Sequence, residues 1–156
     1  MLLLQYTYFH SDGWTYYIGT KSYYIRIPES AGPWNVIRTN LCQNLFGGDL
    51  ASIPDAETCD FLKPLITGGT WVGGYKTGDT WMWTDGTPFN FSNWYSGKPD
   101  NGVNIRIGKN GGSEVKFFAE ASHRTWPGLC QFRFSNQYED EYGTGTGTGV
   151  GTEVGS

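Results

Sequence analysis

The chain lacks most of what an enzyme, a nucleic-acid binder or a membrane span would need. Histidine occurs twice, as His10 and His123. No G-x-S-x-G, H-E-x-x-H or phosphate-cradling glycine loop is present, so no catalytic nucleophile and base are spelled out. Lys and Arg total 11 against 15 Asp and Glu, a net charge of -4 with no basic run. A phosphate backbone calls for a basic stripe, so this balance argues against nucleic acid as a partner. Long apolar runs are missing too. The start, MLLLQYTYFHSDGW, has a short apolar run without a basic n-region or a small-residue cleavage site. It reads as too short for a signal peptide and far too short to span a bilayer. Cysteine occurs three times, as Cys42, Cys59 and Cys130. None lies in a C-x-x-C pair, which argues against zinc, and the number allows one disulfide with one thiol left over.

What is present is aromatic and glycine-rich. Aromatics make up 17% of the 156 residues, with 7 Trp, 10 Tyr and 9 Phe, beside 23 glycines. That length suits one domain, the aromatics supply a large buried area, and the glycines imply many turns. GWTYYIGTKSYYIRI reads as two short strands about a turn. In GPWNVIRTNLCQNLFGG, Pro33 suits the first turn of a helix. Trp34, Ile37, Leu41 and Leu45 fall on one face, and Gly47-Gly48 supplies the stop. DLASI is a brief strand, and PDAETCDFLKPLI a second short helix opened by Pro54 and Asp55 and limited by Pro64. Apolar runs broken by turns follow: TWVGGY, TWMWTDGTPF, NIRIG, EVKFFAE and GLCQFRF. Two short helices and a series of antiparallel strands define an α+β class. The expected organisation is an extension at 1–12, a domain at 13–134, and a tail at 135–156 that is acidic and then Gly/Thr-rich. That tail offers too little apolar surface to offset its ordering entropy.

With these pieces in order, the chain resembles the C-type lectin-like domain. The residues that carry the resemblance are GWTYY, LCQNLFGGDLASI, TWVGGY, WMWTDGTPFNFSNWYSGKPDN and PGLCQF, in the family's order over residues 13–134. The resemblance implies two short helices with antiparallel sheets and a long loop region. It implies that the Trp-Val-Gly-Gly strand crosses the core, and that Asp85-Gly86 makes a tight hairpin turn. It also implies a disulfide between Cys42 and Cys130, which would stabilise by about 3–5 kcal/mol in an oxidising compartment. The family's second disulfide would need cysteines near Asn104 and Ser122, and both are absent. Cys59 then reads as a buried, inert thiol, with an intermolecular bridge as the alternative.

Calcium-binding members hold the metal with a Glu-Pro-Asn or Gln-Pro-Asp triplet about a cis proline, a following acid, and a Trp-Asn-Asp segment on the next strand. This supplies the six to eight oxygens that Ca²⁺ takes, at about 2.3–2.6 Å. Here the triplet is Lys98-Pro99-Asp100, and the peptide bond before Pro99 is expected to be cis. Lys98 has no oxygen to give, and a unit charge about 4 Å from a divalent ion repels it by roughly 8 kcal/mol at an effective dielectric near 20. The strand segment aligns with Phe118-Ala119-Glu120, where Ala119 has lost the amide and Glu120 keeps a carboxylate. No metal is therefore favoured; if calcium binds, Asp100, Asn101 and Glu120 are the ligands.

The resulting reading is a non-enzymatic binding module that recognises a glycan or protein, without calcium. The candidate ligand-binding residues are Tyr95, Lys98, Asp100, Asn101 and Glu120, with Tyr95 and Lys98 exposed and Trp94 as a buried anchor of the loop. The alternatives are a calcium-dependent, carbohydrate-binding lectin and a structural scaffold with variable loops. The family and the disulfide it implies point to a secreted or extracellular protein. Asn90-Phe91-Ser92 is an N-glycosylation sequon.

Overall fold

The computed structural model describes residues 13–133. The expected extension at 1–12 and tail at 135–156 lie outside the described residues. The first hairpin pairs β1 (Thr15–Tyr17) with β2 (Ser22–Arg26), in register from Thr15↔Tyr24 to Tyr17↔Ser22. Alternation sends Thr15, Tyr17, Ser22 and Tyr24 to one buried face.

Helix α1 opens α-helically at Trp34–Val36 and continues as a π-helix over Ile37–Leu45. This winding corrects one expectation. Leu45 should share a buried face with Trp34, Ile37 and Leu41, yet it is 66% exposed, and Cys42 is fully buried in its place. The reason is the hydrogen-bond span. Phe46 N donates to Leu41 O at 3.1 Å, five residues back, and each residue of a π-helix turns through a smaller angle than the α period assumes.

After β3 (Asp49–Leu50) comes α2 (Ala56–Leu62), capped by Asp55, whose Oδ1 accepts from Thr58 N at 2.8 Å. This satisfies one of the donors that a helix start leaves open. Pro64 lies in the 3-10 turn Lys63–Leu65 that ends the helix.

Strands β4 (Thr70–Thr77) and β5 (Thr80–Trp83) form a second hairpin. Its two-residue turn is Gly78-Asp79, with Gly78 at φ 61°, and not Asp85-Gly86 as expected. Once Thr77 pairs with Thr80 the hairpin is closed, so Asp85-Gly86 serves instead as the exit from β5. There Gly86 N donates to Trp83 O at 3.1 Å, and Asp85 Oδ1 accepts from Thr87 N at 2.9 Å. The remaining strands are β6 (Asn104–Gly108), β7 (Lys116–Glu120) and β8 (Leu129–Arg133).

Two four-stranded sheets result, ordered β1-β2-β8-β3 and β5-β4-β6-β7, with every pairing antiparallel. Strand β4 crosses the core: Trp71 and Val72 are fully buried. Glycine is required beside them, because a Cβ at Gly73 would lie 2.8 Å from Leu50 O and one at Gly74 would strike the Ile105 side chain. Cys42 of α1 is bridged to Cys130 of β8, with Cα atoms 5.2 Å apart and a sequence separation of 88. Cys59 is free and buried in α2; burial pushes its thiol up to about 11. The thiolate needed for exchange or oxidation is thus suppressed at neutral pH.

Candidate ligand-binding site

The long loop leaves β5 at Thr84 and returns to the sheet at β6. Its middle is tied to the free edge of β7. Phe117 N donates to Asn93 O at 2.7 Å, Tyr95 N donates to Phe117 O at 2.9 Å, and Trp94 forms a parallel bridge with Phe117. Segment 93–95 therefore acts as a short added strand, and period-2 alternation splits its side chains between two faces. Trp94 turns inward and is partly buried against the core, 5.1 Å from Trp81 and 5.8 Å edge-on from Phe117 between ring centroids. Tyr95 turns outward, stacks on Phe118 at 4.9 Å, and stays 38% exposed.

Tyr95 is the outer end of a longer stack. The Arg106 guanidinium lies 4.0 Å from the Phe118 ring centroid and 4.7 Å from that of Trp126. Order across the outer face is thus Tyr95, Phe118, Arg106, Trp126. Cation–π contacts of this kind contribute about 0.5–2 kcal/mol each, more as water is excluded. Glu120 fixes the edge of the guanidinium: its Oε1 accepts from Arg106 Nε at 3.0 Å and from Nη2 at 2.9 Å. Both side chains are only 15% exposed, and Arg124 Nε approaches Glu120 Oε2 at 3.7 Å. Register explains the meeting. Arg106 pairs with Phe118, and Asn104 with Glu120, so Arg106, Phe118 and Glu120 share one face.

The Lys98–Pro99 peptide bond is cis. Lys98 folds back so that its Nζ donates to Asp100 Oδ2 at 2.6 Å. This contact makes Lys98 less accessible than expected, with 24% of its side chain exposed. The hydrogen bond from Lys98 holds the Asp100 carboxyl below its ordinary range. Asn101 is exposed, and Gly102 lies so close to the Ala119–Glu120 backbone that a Cβ there would clash.

The donor set does not fit calcium. A Ca²⁺ shell needs several free anionic oxygens converging on one point. Here one carboxylate is held by Lys98 and the other by Arg106, with Arg124 beside it. Ala119 is buried, pairs with Ile105 and faces the core, so it does not sit beside Glu120 on the outer face. Neighbours on a strand point to opposite faces, so alternation turns Ala119 away from the face that carries Glu120. Among the described residues, no three His, Cys, Asp or Glu side chains are grouped to hold a metal.

Of the residues expected from sequence, Tyr95, Lys98, Asp100 and Asn101 lie together on the loop, and Glu120 stands on the adjoining strand end. Sequence reasoning missed Arg106, Phe118 and Trp126. The alternation in NIRIG held a signal: Arg106 stands between the fully buried Ile105 and Ile107, so it must point to the other face. What it meets there was not readable. A separate cleft lined by Asp49, Asp85, Gln131 and Arg133 has its charges internally satisfied: Asp49 pairs with Arg38, and Asp85 accepts from Ser52.

A sequence profile of the lectin C-type domain matches residues 31–140, and the chain belongs to that family. Among its curated relatives are two type-2 ice-structuring proteins. The one from Hemitripterus americanus is 43% identical over 74 residues, covering 46% of this chain and 44% of that protein. The one from Brachyopsis segaliensis is 36% identical over 91 residues, covering 57% and 51%. The matches thus span about half the length of these relatives. Among solved structures, the C-type lectin domain of murine dendritic cell inhibitory receptor 2, in complex with N-glycan, superposes with a TM-score of 0.72. It is 20% identical, over 80% of this chain and 99% of that one. A calcium-independent type II antifreeze protein superposes with a TM-score of 0.68 at 25% identity, over 80% and 94%. The relatives are thus lectins and ice-structuring proteins, and the family includes both calcium-dependent and calcium-independent members. No helix among the described residues is long and apolar enough to cross a membrane.

Proposed function

We propose that this domain is a binding module that recognises a glycan or protein ligand through loop 95–101, and that it does so without calcium. The observation that carries the reading is the internal pairing of both carboxylates, Asp100 with Lys98 and Glu120 with Arg106. A cation would have to displace two charge-assisted contacts before gaining a ligand. The loop offers instead the exposed Tyr95 ring, backed by Phe118, beside the Lys98–Asp100 pair and Asn101. A ring held by packing loses little freedom on binding, which suits it as an anchor for a sugar face or a protein side chain. The Cys42–Cys130 bridge supports an extracellular setting. Glycan-array and protein-capture binding, measured with millimolar calcium and again with chelator, tests the reading. Equal binding in both and its loss in Tyr95→Ala are expected; binding that vanishes with chelator overturns it in favour of a calcium-dependent lectin.

The similarity to ice-structuring proteins favours a second reading, in which the ligand is the surface of ice. Freezing hysteresis that persists in chelator would select it over the first, and absence of hysteresis would remove it.

A further inference from the structure

We propose that Asn90 is a site of N-linked glycosylation. Asn90-Phe91-Ser92 is the only Asn-x-Ser/Thr triplet in the chain, and a glycan on such a triplet needs a surface position that leaves the fold undisturbed. The structure supplies that presentation. Phe89 stacks on Trp83 with ring centroids 4.9 Å apart, and Phe91 meets Phe117 edge-on at 6.1 Å, so both phenylalanines are turned toward the core. Asn90 and Ser92 alternate with them and are both exposed. The segment belongs to no helix or strand, so a glycan there would disturb no backbone ladder.

Asn93, three residues on, shows the contrast. Its amide donates to Val115 O at 2.8 Å and its Oδ1 accepts from Lys116 at 3.3 Å. That asparagine is part of the packing, whereas Asn90 is anchored by its neighbours and left outside. An independent observation agrees with this: the Cys42–Cys130 disulfide is of the kind found in secreted proteins, the class of protein in which such triplets are modified.

The co-reactant is a lipid-pyrophosphate-linked oligosaccharide. The bond from its anomeric carbon to the pyrophosphate oxygen breaks, and a bond from that carbon to Asn90 Nδ2 forms. Nδ2 gives up one proton, the lipid pyrophosphate leaves as the anion, and nothing is oxidised or reduced. The attached glycan stands on the solvent side of the Phe89 and Phe91 rings, while Tyr95 opens on the other face of β7.

The test is secretory expression of the full chain in eukaryotic cells, with peptide mapping of both secreted and retained material. The expected result is a mass increment removed by peptide N-glycosidase, which leaves aspartate at position 90. Asn90→Gln and Ser92→Ala should each abolish the increment, and Ser92→Thr should keep it. If Asn90→Gln is not recovered, Ser92→Ala still reads the site, because it leaves the asparagine in place. Unmodified Asn90 throughout the wild-type material overturns the proposal, as does a glycosidase-sensitive increment that survives both substitutions.

Discussion

The two faces of β7 carry aromatic rings of the same kind and hold them by different physics. On the inner face, Phe117 is fully buried among Trp83, Phe91 and Trp94, all at edge-on angles between 81° and 89°. On the outer face, Phe118 is stacked between the Tyr95 ring and the Arg106 guanidinium, and Glu120 holds the guanidinium. The inner arrangement is stabilised by area removed from water and by dispersion, which depend little on salt or on any single charge. The outer arrangement depends on one cation. Its charged side chains, Arg106 and Glu120, pair with each other, so a metal at that face would have to compete with Arg106 for the carboxylate.

The largest effect should come from breaking the inner face. Phe117→Ala should cost about 3–5 kcal/mol in urea unfolding, because the cavity is enclosed by rigid rings that cannot collapse into it. A loss under about 1 kcal/mol would mean the loop reseats itself, and the contrast between the faces would fail.

A smaller loss is expected on the outer face. Arg106→Ala leaves the largely buried Glu120 with only the looser contact to Arg124 at 3.7 Å, for a cost of about 1–3 kcal/mol. In a double-mutant cycle with Glu120→Gln, the two changes should be coupled and the coupling should weaken in high salt. Additivity within about 0.5 kcal/mol would show the ion pair to be incidental.

Titration separates the core from the surface more gently. Burial raises the Tyr24 phenol from 10.0 to about 12 and the Cys59 thiol from 9.0 to about 11. Each group is neutral in the folded state and ionises more easily when unfolded. Its stabilisation is therefore complete below the unfolded value and is lost as pH rises through the folded one. Melting temperature should start to fall above pH 9 and fall further toward pH 12, and Cys59→Ser should remove the earlier part of the decline. A flat profile across that range would show that neither group is as enclosed as the fold implies.

The smallest expected effect is that of calcium. Millimolar Ca²⁺ should move the melting midpoint by no more than about 2 °C, whereas a micromolar site at a thousandfold excess would add roughly 4 kcal/mol and move it several times further. Lys98→Glu alone should stay insensitive, since Glu120 is still held by Arg106 and Ala119 still faces the core. A large shift in the unsubstituted protein would mean that the outer pairs open readily for a metal.

Much of the fold was legible because its signals lie between near neighbours in the chain. Apolar runs between turns marked the strands, Pro54 and Asp55 marked a helix start, and resemblance to a known family paired Cys42 with Cys130. The candidate residues on the loop were legible as chemistry but not as geometry. Lys98 was expected to point outward, yet it folds onto Asp100 two residues away.

What the sequence by itself determined is the α+β class, the order of elements and the loss of an oxygen ligand at position 98. Tertiary structure alone decided three things. It replaced Leu45 by Cys42 in the core through a π-helical span, and it put the second hairpin's turn at Gly78-Asp79. It also brought Arg106 onto Glu120, fourteen residues away, between Phe118 and Trp126. The reason is common to all three. Residue identity sets which groups want partners, but the partner is chosen by hydrogen-bond span and strand register, which are fixed only in the folded backbone.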